Sequence, residues 1–387
     1  MPQQELAICA PPRRVGAADA ELLLRQALAR SNDDPIPRPI GLAVAIPCSV
    51  GSAFAADVER LYREIHGLAQ CVDRDREVVE IVVDASAATV PMSRLPWPDL
   101  LDALERQFHP GPRASREIIA TASDKATTAE DVATLGACGF KSVTLGGPQP
   151  DGGYVRAAHR CDIASVAVQL TSPAAEPGAV ALRKIADAAL RQRPDRLEIL
   201  APESAPTPAA AMIDVIRELV AQAGYEFIGP EQFALPTDAL AVASRSGRLR
   251  HGYFGYTPTP DCDQLGIGPG AASQVGAFRG RNALRLDTWR EGLDDGHLAV
   301  SHGVELGLEE QLRSEVRQQL LCRRMIMIEE VELAYNVEFR RYFDTELASL
   351  AHLAARAHVR DCGDRIEVRS PGWPWLRNIA RCFDARN

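Results

Sequence analysis

Residues 41–84 read GLAVAIPCSVGSAFAADVERLYREIHGLAQCVDRDREVVEIVVD, and this stretch decides the fold. Gly41–Pro47 (GLAVAIP) and Val78–Asp84 (VVEIVVD) are nearly continuous apolar runs of strand length, as expected of strands buried on both faces of a parallel sheet. Between them, Asp57–Gln70 spaces its apolar residues three or four apart, as a helix covering that sheet must. Strand, helix and strand in this order make a right-handed βαβ unit.

The pattern continues outward. Further strand-like runs are Glu117–Ala122 (EIIATA), Ser142–Gly147 (SVTLGG), Ser165–Leu170 (SVAVQL) and Arg196–Pro202 (RLEILAP). Helical spacing recurs at Trp97–Phe108, Ala129–Ala137, Ala179–Arg191 and Ala209–Ala223, and only Tyr154–Arg160 is available as a helix before Ser165. Six such units suit a partial (β/α)6 barrel better than a closed eight-fold one. Periodicity does not fix strand order, so a doubly wound sheet stays open. Residues 1–37 read as an N-terminal extension with one helical stretch, Ala17–Arg30, and residues 38–285 as the barrel. Loops and glycines dominate residues 231–283, and residues 290–387 read as a mainly helical second domain.

Composition excludes several function classes. A net charge of −9 argues against a nucleic-acid surface, and 5% aromatics argue against a base-stacking platform. No apolar run approaches the roughly 20 residues of a membrane span. The first residues, MPQQELAICAPPRR, have no hydrophobic signal core, so the expected location is the cytoplasm. The cysteines at 9, 48, 71, 138, 161, 262, 322, 362 and 382 form no CxxC or CxxxC pair and read as reduced, mostly buried thiols.

Ligands of parallel α/β folds bind at the carboxyl ends of the strands, so the loop Ile46–Ala56 (IPCSVGSAFAA) is the first candidate site. The GIGPG at 266–270 offers backbone N–H groups to an anion, or is a plain turn cluster. The eight histidines lack metal-ligand spacing, so no metal site is expected. Arg160, beside His159, is a candidate for a bidentate contact to a carboxylate or phosphate.

Three stretches resemble one family. YEFIGPEQFALPTDALAVASRSGRLRHGYFGYTPTPDCDQLGIGPGAASQVG at 225–276, RPDRLEIL at 193–200 and LRNIARCFD at 376–384 are similar, in this order and spacing, to the oxygen-independent coproporphyrinogen III oxidases. That resemblance implies a radical S-adenosylmethionine fold: a partial (β/α)6 barrel with a helical C-terminal domain. It also implies a [4Fe–4S] cluster on a CxxxCxxC motif after the first strand. Laid on the family's Ile-Pro, this chain places Ser49, Ala53 and Ala56 where the three cysteines belong, with Cys48 alone nearby. Alanine cannot ligate iron, and serine is a poor substitute for a soft thiolate. The family's glycine-rich segment falls on Asp84–Ala88, the acidic end of its third strand on Thr121, and its cofactor-contacting arginine on Arg160. Cys322 and Cys382 match family cysteines that look structural.

The resemblance therefore implies a coproporphyrinogen III oxidase-like protein of porphyrin metabolism that is inactive as an oxidase and uses no cofactor. The expected ligand is a tetrapyrrole or an S-adenosylmethionine-like small molecule, with a protein partner as a further alternative. Arg245, Arg248, Arg250 and His251 would receive tetrapyrrole carboxylates. An enzyme with altered, cluster-independent chemistry is a second reading, with Asp84, Ser86, Thr121, Gln149, His159 and Arg160 as its polar groups, and a structural or regulatory partner subunit is a third.

Overall fold

The computed structural model of the chain describes residues 15–88, 90–108, 117–122, 127–146, 153–171, 179–200, 209–252 and 255–384. It begins with α1 (Ala17–Asn32), followed by alternating β1 (Ile40–Ala45), α2 (Gly51–Ala69), β2 (Val78–Ala85), α3 (Trp97–Gln107), β3 (Glu117–Ala122), α4 (Ala129–Ala137), β4 (Ser142–Gly146), α5 (Gly153–Arg160), β5 (Ser165–Thr171), α6 (Ala179–Gln192), β6 (Arg196–Leu200) and α7 (Ala209–Gln222). These are the six expected units. Strands β1 to β6 are parallel and adjacent in chain order, which rules out the doubly wound alternative, whose strand order must reverse at a switch point.

The residues after 225 add strands that apolar runs did not reveal. They are β7 (Glu226–Gly229), β8 (Gln232–Ala234), then α8 (Ala239–Arg245), β9 (Arg250–Gly252), β10 (Gly255–Thr257), β11 (Asp263–Ile267), β12 (Ala272–Val275) and β13 (Phe278–Asn282). Strand β11 pairs parallel to the free side of β1, so the GIGPG turn does follow a strand. After α9 (Leu286–Asp294), β14 (Val300–Glu305) completes a sheet ordered β14-β13-β12-β11-β1-β2-β3-β4-β5-β6-β8-β7. The sheet thus runs through the expected boundary at 285–290. Likewise α1, within the expected extension, packs its buried Ala20, Leu24, Ala27 and Leu28 into the main core.

From α10 (Leu308–Arg323) onward the chain is helical around a small three-stranded sheet, Met325–Met327, Arg365–Val368 and Val359–Asp361. This unit has its own core of Leu312, Val316, Phe339, Phe343, Leu376 and Phe383. The outward faces of the barrel strands are apolar: Ile40, Leu42 and Val44 of β1 and Ile81 and Val83 of β2 join the core beneath the helices. The inward positions differ. Gly41, Ala43 and Ala45 of β1 carry almost no side chain, and Thr144, Gln169, Glu198 and Gln264 line an interior cavity. A closed barrel of this class is normally filled by Val, Ile and Leu. Small and polar residues leave this one hollow.

Candidate functional site

The hollow is a cavity of about 450 Å³, lined by Glu80 and Val82 of β2, Ile119 of β3, Thr144, Gln169, Arg196 and Glu198, with Gln232 of β8 and Gln274 of β12 from the strands on either side of the β1–β6 set. The β9–β10 hairpin and the polar face of α10 (Gln311, Ser314, Glu315, Gln318) complete the lining. Two contacts tie them together. The Gln318 amide donates to the His251 carbonyl at 3.1 Å and accepts from its N–H at 2.9 Å. The Tyr256 hydroxyl donates to the Leu321 carbonyl at 3.0 Å.

Two carboxylates of the barrel strands face into the cavity. Glu80 accepts from the hydroxyls of Thr257 (2.6 Å) and Thr259 (3.2 Å), both on Oε1, and among the described residues no hydrogen bond reaches Oε2. Glu198 accepts from Gln169 (3.1 Å) and Gln232 (3.0 Å), one donor on each oxygen. A carboxylate offers about four acceptor positions, so both retain capacity. Burial pushes each above the ordinary carboxylate range, against the donors that hold the charged form. Beside them, Arg196 is buried and gives its Nε to both oxygens of Asp238 at 2.9 Å. Its Nη2 is buried without a partner among the described residues.

The rim of the cavity is basic. Arg38 and Arg250 both pair with Asp261, at 3.5 and 2.7 Å, while Arg279 donates to the carbonyls of Gly276 and Phe278. Burial, with Arg38 nearby, lowers Arg279 to about 10. Among the described residues Asp261 is the only acid paired with any of these three arginines. The cavity therefore holds carboxylates, amides and the Arg196 guanidinium inside, with three further guanidiniums at its edge.

At the carboxyl end of β1 the expected loop is short, because α2 begins at Gly51 and places Ala53 and Ala56 on its first turns, both exposed. Ser49 is buried and engages Asp57 of α2. Burial alone would raise Asp57, but Arg290 of α9 (2.7 and 2.8 Å) and the Ser49 hydroxyl hold it below the ordinary range. Positions 49, 53 and 56 thus present one engaged hydroxyl and two exposed methyl groups. Cys48 is exposed beside them. Among the described residues no three His, Cys, Asp or Glu side chains come together as a metal site.

The GIGPG turn meets an anion from within the chain. The Gly268 N–H donates to Oε2 of the buried Glu64 at 2.9 Å, alongside Trp289 Nε1 at 3.0 Å, and Asn282 donates to Oε1 at 2.7 Å. Only glycine suits this turn: Gly268 has φ +91°, and a Cβ there would lie 2.1 Å from the Ala45 carbonyl oxygen.

The remaining expected residues divide. Arg160 is exposed at the end of α5, on the turn leading into the first residue of β5. That is the amino-terminal side of the sheet, opposite the loop after β1, because a crossover helix runs antiparallel to its strands. His159 is tied there to the Ile163 carbonyl (3.2 Å) and Asp195 (3.3 Å). The basic run at 245–251 does not converge. Arg245 pairs with Glu226 at 2.7 Å, and Arg248 is exposed and donates to the Ser246 hydroxyl. Only Arg250 and His251 line the barrel cavity; burial lowers His251 to about 4, so it is neutral there. Asp84 accepts from the Ser86 N–H at 2.9 Å, the Thr121 side chain and Gln149 lie outside the described residues, and of the described thiols only Cys322 is fully buried. Sequence reasoning missed Glu80, Gln169 and Glu198. Each is a single polar residue inside an otherwise apolar strand, in VVEIVVD, SVAVQL and RLEILAP, and that interruption was the available signal.

By fold this is a partial (β/α)6 barrel of the radical-SAM type with a mainly helical C-terminal domain. The chain superposes on the coproporphyrinogen III oxidase of Escherichia coli, a radical SAM enzyme, with a TM-score of 0.81, covering 94% of this chain and 93% of that one at 24% identity. In sequence it is similar to proteins named oxygen-independent coproporphyrinogen III oxidase. One from Pseudomonas aeruginosa is 34% identical over 173 residues, 45% of this chain and 38% of the relative. One from Escherichia coli K12 is 32% identical over 226 residues, 54% and 49%. One from Thermostichus vulcanus is 36% identical over 185 residues, 48% and 56%. The matches thus span about half the length of these relatives. No family model matches the chain. The resemblance seen in the sequence holds in both comparisons. The expectation that the chain uses no cofactor is corrected: a fold shared almost end to end with a radical SAM enzyme gives no ground for excluding its cofactors. The alternative of a protein partner finds no support here. No helix among the described residues is long and apolar enough to cross a membrane.

Proposed function

We propose that this chain is a tetrapyrrole-binding protein of porphyrin metabolism, related to the oxygen-independent coproporphyrinogen III oxidases but inactive as an oxidase. The observation that carries the reading is the contrast between the two ends of the barrel. The interior is hollow, polar and edged by arginines, while the loop matching the family's cluster motif holds Ser49, Ala53 and Ala56, with the serine committed to Asp57. S-adenosylmethionine belongs to this reading as a co-ligand of the barrel. Arg160, exposed and not among the residues that line the cavity, is not assigned to it.

Titration with coproporphyrin III followed by the Soret band tests the binding half, with saturation at one equivalent expected and an unshifted band overturning it. Anaerobic reconstitution with iron and sulfide, followed by iron counting and turnover of coproporphyrinogen III, tests the other half. Stoichiometric cluster together with decarboxylation would sink the claim of inactivity.

A further inference from the structure

We infer that the seam between residues 258–261 and α10 is a side port into the barrel, and that Arg250 is its latch, passing from Asp261 to Glu315 to shut it. The inference rests on the tetrapyrrole reading above and adds the route by which the ligand passes. A second hollow of about 480 Å³ adjoins the cavity, with Arg248 and Arg323 among the residues that line it alone. Arg250, Pro260, Asp261, Glu315 and Gln318 line both spaces, so these five residues form the partition between them.

The partition has two walls, β9 with the 258–261 stretch on one side and α10 on the other. Gln318 joins them at one point, through its two hydrogen bonds with the His251 backbone at 3.1 and 2.9 Å. Among the described residues no hydrogen bond or ion pair joins residues 258–261 to α10. The sequence explains why. Pro258 and Pro260 have no N–H to give. Thr259 gives its N–H to Thr257 at 3.2 Å and its hydroxyl to Glu80, so it is tied into the barrel and not to the helix.

The charges along the seam are placed for a latch. Arg250 pairs with Asp261 on its own wall at 2.7 Å, and Arg38 also reaches Asp261, at 3.5 Å. On the facing wall Glu315 accepts from Gln319 of its own helix at 3.2 Å and pairs with no cation among the described residues. Burial pushes the Cys322 thiol up to about 12, with Arg250 opposing that rise and Glu315 adding to it. The two charges thus lie within electrostatic reach of one sulfur, from opposite walls. When Arg250 turns to Glu315, Asp261 keeps Arg38, and each acid then has a cation. The side chains of Arg250 and Asp261 are 39% and 41% exposed, and pairs of that exposure are weak, so neither position is locked. With Arg250 on Asp261 no salt bridge crosses the seam among the described residues, which is the open position.

Stopped-flow mixing of the full chain with coproporphyrin III, followed at the Soret band, tests the port. An obstacle on the route changes the path and not the end states, so it alters association and dissociation by one factor and leaves Kd in place. Arg248→Trp fills the hollow from a residue outside the cavity lining, and should slow both rates about fivefold or more. Glu315→Gln removes the second partner of the latch and should speed both rates together, several-fold. Unchanged rates in both variants overturn the inference and place entry elsewhere on the barrel, with the tetrapyrrole reading intact. A change confined to dissociation, with Kd moving in proportion, also overturns it, because the altered side chain then touches the bound ligand. Slowing by Arg248→Trp with no effect of Glu315→Gln overturns the latch. A wild type that leaves the Soret band unshifted removes the tetrapyrrole reading and this inference together. Arg248 is exposed, so its replacement spares the core, and the Glu315→Gln rates are an independent readout.

Discussion

The N–H of Gly268 donates to the carboxylate of Glu64 at 2.9 Å, so a glycine turn beside the end of β1 is held by a helix residue that, among the described residues, pairs with no cation. Burial pushes Glu64 up to about 7, against the donors from Gly268, Trp289 and Asn282. Its unfolded value lies near 4.5, so between these values the folded chain binds more protons than the unfolded one. The contribution of Glu64 to stability is therefore greatest below pH 4.5 and declines as pH rises through about 7. Urea unfolding of wild type and Glu64→Gln at pH 5 and pH 8 checks this. The stability of the wild type relative to the variant should fall by about 3 kcal/mol between the two; parallel behaviour would show that the three donors outweigh burial.

Asp57 behaves in the opposite sense. Its folded value lies below 3.8 through Arg290 and Ser49, so its contribution is full above pH 4 and disappears as pH falls through the lowered value. Arg290 and Arg60 are 26% and 22% exposed, so solvent screens part of the pairing. Asp57→Asn should cost about 2 kcal/mol at pH 7, and the cost should shrink as pH falls below 3.8 through the lowered value. A constant cost across that range would place the effect in packing instead.

The barrel strands were legible because burial on both faces demands continuous apolar runs, and β3 and α4 fall on the expected residues, Glu117–Ala122 and Ala129–Ala137. The start of α2 was not legible: Gly51 enters with φ +59° and Val50 provides no side-chain cap, so nothing in GSAFAA announces a helix. Strands β8 to β10 have three residues each, too few for periodicity to register. Charge proximity in sequence also misled. Arg248 and Arg250 are two apart but belong to different surroundings, the first at the turn after α8 and the second on β9, and only the second reaches the barrel.

That separation gives a direct comparison. Arg250→Gln removes a rim cation and should weaken coproporphyrin III binding about five- to tenfold, on the order of 1 kcal/mol. Arg248→Ala, in an adjoining hollow that shares Arg250 and Asp261 with the barrel cavity but outside the cavity lining itself, should leave it unchanged. Soret titrations of the two variants decide the matter; equal losses would place the ligand outside the barrel, against the 247–261 segment.

The proposed loss of cluster ligands can be tested by reversal. Replacing Ser49, Ala53 and Ala56 together by cysteine restores the three-thiolate spacing, and the two alanines are exposed, so their thiols meet no packing obstacle. Position 49 is less tolerant, since Ser49→Cys removes the hydroxyl that serves Asp57, at a cost of about 1 kcal/mol. Under anaerobic iron and sulfide the triple variant should develop the broad visible absorption of an iron–sulfur cluster at a level well above the wild type. The Ser49→Cys single variant controls for stray iron. If the triple variant takes up no more iron than that control, α2 holds positions 53 and 56 in the wrong geometry.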